Sequence, residues 1–161
     1  MSDLGGAGEE RAMLNGFLDW YRAVVVNKVT GLSRADATQV MTPSGMSPLG
    51  IVAHLIEVET GWFDEIFAGS PPREDLIDYA DFQIRADDTV DSIVAGYQEA
   101  CSLARKHVDA ADSLDQLSAG ATERRGRVSL RWILIHMLEE TARHAGHLDL
   151  MREQIDGATG D

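Results

Sequence analysis

The chain has 161 residues, 44% apolar and 25% charged, with a formal net charge of -13. That length and mix suit one soluble globular domain, expected to span residues 1–161. The negative charge repels phosphate backbones and anionic lipid, which argues against a nucleic-acid or membrane partner. Arg124, Arg125 and Arg127 form the only basic cluster and read as solvated loop surface. Cys101 is the sole cysteine, so no internal disulfide can form, as expected of a reducing compartment. The opening MSDLGGAGEE lacks the basic and apolar regions of a signal peptide, and no apolar run could span a bilayer. A cytoplasmic location is therefore expected.

The first helix is predicted over residues 9–30, where Leu14, Phe17, Leu18, Tyr21, Val24, Val25 and Lys28 recur at three-and-four spacing. TPSGMSPLG breaks it, and Ser47 followed by Pro48 is a cap and first-turn pair for a second helix ending near Gly69. A long linker, residues 69–88, could shape a pocket mouth. The third helix is expected over residues 89–110, with Val90, Ile93, Val94, Tyr97, Cys101, Ala104 and Val108 as its stripe. Ser129 caps a fourth that reaches Ile155 and closes at Gly157. No segment alternates like a strand, so the expected class is all-α, a four-helix bundle.

The last helix carries ionisable groups out of place. Glu140 and His144 sit one turn apart among Ile133, Met137, Leu148, Met151 and Ile155. Burying such a pair without a partner is costly, so either the two bond each other or both face one cation. His147 lies at the edge of that face, and His136 further round. On the second helix, His54 shares a side with Gly50, Glu57 and Gly61, away from an apolar arc of Leu49, Val52, Ile56, Phe63 and Phe67 with Ile51, Leu55, Val58 and Trp62. That side is either solvent-facing or a polar cavity in which the glycines leave room. Glu59 falls inside the apolar arc. It reads either as a buried carboxylate bonded to backbone or to a ligand's second nitrogen, or as a boundary effect. Imidazole and carboxylate suit Zn²⁺, Ni²⁺, Fe²⁺ or Mn²⁺, and three such ligands with an open position make a catalytic-type centre. There is no HExxH, and Cys101 on an apolar stripe reads as core rather than nucleophile. His107 lies at the edge of its stripe and is excluded. Trp20, Trp62 and Trp132 would pack in the core or at a homodimer interface.

GIVAHLIEVETGWF and HMLEETARHAGHLDLMRE together resemble the DinB-like superfamily, and more closely its actinobacterial branch. That superfamily includes bacterial thiol S-transferases and mycothiol-dependent maleylpyruvate isomerase. The resemblance implies an up-down-down-up bundle and a metal held by three side chains, one from the second helix and two from the last. His54 and His144 match two of those places. Glu140 occupies a place where a histidine is commoner, as in the isomerase branch, and His147, where glutamine is usual, is the other candidate for third ligand. The function implied is a divalent-metal-dependent S-transferase or isomerase. A low-molecular-weight thiol such as mycothiol would attack a small electrophilic substrate, with His147 or Glu57 moving a proton. The alternatives are a hydrolase using metal-activated water and a non-enzymatic bundle that binds a small molecule or partner.

Overall fold

A computed structural model describes residues 9–160, so the leader expectation for the first residues lies outside it. The long helices are α1 (Glu10–Val29), α3 (Pro48–Glu59, running on through Thr60–Phe67), α5 (Val90–Ala110) and α6 (Leu130–Asp156). Short α2 (Arg34–Ala37) and α4 (Ile77–Ala80) interrupt the first two connections. Among the described residues the only β pairing is two isolated bridges, Leu117 with Ser129 and Thr122 with Gly126.

The helix ends follow from local chemistry. The Ser47, Thr89 and Ser129 side chains each accept a hydrogen bond from a first-turn amide, satisfying donors that a helix start leaves open. Gly157 closes α6 at φ 74°, a conformation glycine adopts without steric cost.

The directions of the helices can be read from their cross-contacts. Arg131 meets Glu10 and Arg152 reaches the Lys28 carbonyl, so α1 and α6 run parallel. Cys101 meets Glu59 and His107 meets Asp64, so α3 and α5 are parallel too. Arg22 on α1 bonds Glu59 on α3, and Arg11 reaches the carbonyls of Val108 and Ala111 at the end of α5, opposing the two pairs. The result is an up-down-down-up four-helix bundle.

The core forms two apolar clusters. One gathers Val25, Leu55, Tyr97 and Leu148, the other Leu18, Phe63, Ile133 and Met137. Between their sequence positions on α1 and α3 stand Arg22 and Glu59, 5% and 0% exposed. Arg22 Nε and Nη2 donate to Glu59 Oε1 and Oε2 at 2.7 and 2.6 Å. Glu59 is thus buried and held by a guanidinium, not by the backbone group or ligand nitrogen that its position suggested. Lys28, also on an expected apolar stripe, is buried through its ion pair with Asp149. Phe17 departs from expectation in the other direction, remaining 37% exposed at the rim of α1.

The second helix does not stay α-helical to its end. From Thr60 it widens to a π-helix, which closes with the Ala68 amide donating to the Phe63 carbonyl. The Thr60 hydroxyl donates to the Ile56 carbonyl at 2.8 Å, a back-bond of the kind that often bends a helix.

Candidate metal centre

His54 comes from the middle of α3, and Glu140 and His144 from successive turns of α6. One donor atom from each lies within 4.8 Å of the other two. His144 Nε2 is 3.1 Å from Glu140 Oε1, and His54 Nε2 stands 3.5 Å from the same oxygen. The His54 and His144 rings are 5.2 Å apart between centroids. Arg143 holds the second carboxylate oxygen, Nη1 donating to Oε2 at 2.8 Å. Glu140 is therefore oriented from both sides. The His144 hydrogen bond, followed by contact with His54, holds its carboxyl well below the usual carboxylate range, against a burial that would raise it.

The residues fit a divalent cation. Two imidazole nitrogens and one carboxylate oxygen are a borderline donor set suited to zinc and its neighbours. Among the described residues His54 Nδ1 is buried with no hydrogen-bond partner, so this ring carries polar capacity left unsatisfied there.

The remaining candidates fall around this group. His147 is outside it. Its Nδ1 faces His144 Nδ1 at 3.4 Å, and burial, aided by His144, pushes its pKa down, favouring the neutral ring. Glu57 lies one turn after His54 and is also outside the group, with its carboxyl pushed up by burial and opposed by His54. His136 sits two turns before His144, in ring contact with Trp62 and Trp132 and 3.6 Å from Glu139. His107 pairs with Asp64 at 3.1 Å, away from the group. Cys101 is buried 3.8 Å from Glu59 Oε1, and burial raises its thiol pKa far above the ordinary value, so it is no ready nucleophile.

The side of α3 that carries His54 is half-buried, and Gly50 leaves no room on it. The connection after α4 packs onto it, and a methyl group on Gly50 would clash with the Phe82 carbonyl oxygen. The Phe82 ring lies 4.6 Å from that of His54 and 5.8 Å from that of His144, at φ 61°, an uncommon backbone conformation for a residue with a side chain. The long linker thus supplies an apolar cover for the group. Nothing periodic in its sequence marked Phe82 for this place.

No curated protein matches the chain. A crystal structure of a conserved protein from Enterococcus faecalis is similar in fold, with a TM-score of 0.64 at 14% identity, over 94% of this chain and 100% of that one. The family model for mycothiol-S-transferase matches residues 13–157, a span that contains all four helices' main bodies and every member of the group. The chain therefore belongs to the mycothiol-S-transferase family, a DinB-like family.

Proposed function

We propose that the protein is a divalent-metal-dependent S-transferase that joins a low-molecular-weight thiol of the mycothiol type to a small electrophile. The observation that carries this reading is the convergence of His54, Glu140 and His144 from two helices distant in sequence, in a chain of this family. A divalent cation held by these three supplies positive charge that keeps a thiol deprotonated near neutral pH.

The chain's own residues do the rest. His54 and His144 offer Nε2 lone pairs, and Glu140 contributes one negative charge through Oε1, fixed by Arg143. For His144 Nε2 to be a bare lone pair, its proton must sit on Nδ1, and His147 Nδ1 is there to accept it. His147 so fixes the tautomer of His144, and burial favours its neutral ring, the form with a lone pair that can take up a thiol proton. Glu57, with its raised carboxyl, is the second candidate for that proton. Phe82 limits water at the rings of His54 and His144.

The test is metal analysis of protein purified without chelators, paired with an assay of thiol consumption against an activated aryl halide. About one ion per chain is expected, lost in His54→Ala and His144→Ala and kept in His107→Ala. Full metal content in both ligand variants, or thiol consumption unchanged after chelation, would refute the reading.

A further inference from the structure

A second feature lies along the same groove between α3 and α6. Trp62 and Trp132 face each other at 5.1 Å, and His136 packs on both, stacked on Trp132 at 24° and edge-on to Trp62. These rings form one wall of a cleft of about 610 Å³, floored by Ile66 and Ile135. Ile135 is 52% exposed, so apolar surface faces solvent here. The turn between Thr122 and Gly126 overhangs the wall and carries Arg124 and Arg125. The Arg125 guanidinium lies 5.0 Å from the Trp132 ring centre. Neither arginine has a carboxylate partner among the described residues.

Two unpaired guanidiniums beside an aromatic wall are unusual in a chain of net charge -13. Of the two acidic side chains in the cleft, Glu139 is already engaged by Arg143 and stands near His136. That leaves Glu123 against two arginines, so the cleft is locally positive. An aromatic wall favours a flat body, and guanidiniums favour a carboxylate. The sequence gives this cluster the look of solvated surface. Arg124 and Arg125 are indeed exposed on a loop, and that loop brings Arg125 over Trp132.

We propose that this cleft binds a flat aromatic carboxylate, its ring system against Trp62, Trp132 and His136 and its carboxylate met by Arg124 and Arg125. His136 is one helical turn before Glu140, about 6 Å along the axis, so the wall of the cleft and the metal group occupy successive turns of α6. The ligand's role as the electrophilic acceptor rests on the thiol-transfer reading, but its binding does not.

The experiment uses 2-naphthoate as probe and the neutral 2-naphthalenemethanol as its control, titrated calorimetrically into the full chain and into His54→Ala. Saturable one-to-one binding of naphthoate is expected in both proteins, with the alcohol at least about tenfold weaker. The double variant Arg124→Gln/Arg125→Gln, which alters only exposed loop side chains, should weaken naphthoate about tenfold and the alcohol by less than about threefold. Trp132→Ala should weaken both by about fivefold. Equal affinity for the two probes, an unaffected double variant, or no naphthoate binding at millimolar concentration would each overturn the assignment. Loss of naphthoate binding in a protein that still consumes thiol refutes the cleft alone. Naphthoate binding in a protein that needs neither metal nor thiol refutes the transferase alone.

Discussion

Replacing Arg22 with Met should cost more than any exposed substitution in the molecule. Glu59 is fully buried, and both of its oxygens are taken up by Arg22 at 2.7 and 2.6 Å. The other polar neighbour is the Cys101 thiol at 3.8 Å, which cannot stand in for a guanidinium. Breaking a buried ion pair from one side strands the other charge, at a cost of about 3–5 kcal/mol. A domain of this size is stable by roughly 8–15 kcal/mol, so the variant should lose about a third of its stability. Removing both charges together is a different perturbation. Arg22→Met/Glu59→Leu leaves no buried charge unpaired, since half-exposed Asp19, which also accepts from Arg22, keeps Arg105, and should come within about 1 kcal/mol of the parent, or exceed it. Urea denaturation followed by helical circular dichroism measures all four corners of this cycle. A single-variant loss below about 1 kcal/mol, or a double variant worse than either single one, would show that the pair is not isolated from water between the two apolar clusters.

Gly50→Ala should displace the Phe82 connection, lowering stability by about 1–3 kcal/mol and exposing the His54 ring, which a thermal melt and histidine NMR shifts would report. Cys101 should resist iodoacetamide in the native protein at pH 8 and react fully in urea, because burial raises its thiol pKa. Fast native labelling would contradict that burial. Glu140 titrates lower in the folded chain than its ordinary 4.5. Its contribution is therefore complete above that value and is lost as pH falls through the folded one. With chelator present, Glu140→Gln should lose less stability than the parent between about pH 5 and pH 2. Identical acid slopes would remove Glu140 from the account.

The four long helices were legible because each repeats its apolar residues every three or four positions, and all but the first open on a capping serine or threonine. The oddities in those stripes were legible one at a time. Glu59 stood out on its own helix, but its partner Arg22 sits beside Tyr21 on α1, and no local pattern links the two. Pairing such residues requires knowing which helices face each other. The π-helical stretch left no mark on side-chain spacing, since it consists of a shift in backbone hydrogen bonds. Phe82 lies in a connection whose conformation is set by packing on Gly50. The Trp62–Trp132–His136 wall joins two tryptophans that read as core or interface with a histidine that read only as lying further round the last helix, and the loop arginines above it were visible only as charge. No helix among the described residues is long and apolar enough to cross a membrane.

The parallel pairing of α1 with α6 and of α3 with α5 bears on how the chain folds. The main packing partners here are not hairpins: α3 and α5 follow each other in sequence but run parallel, so the chain must cross the length of the bundle between them, and α1 waits for α6 from the far end of the chain. Such non-local contacts carry the loop-closure entropy before they return any burial, which slows folding relative to an up-and-down bundle. His54 is synthesised long before Glu140 and His144, and the three meet only when α6 docks. A cation that needs all three finds no site in the transition state unless that docking has already occurred. Saturating metal should then slow unfolding while leaving the folding rate nearly unchanged, so that the ion acts as a latch on the finished bundle rather than as a template for it.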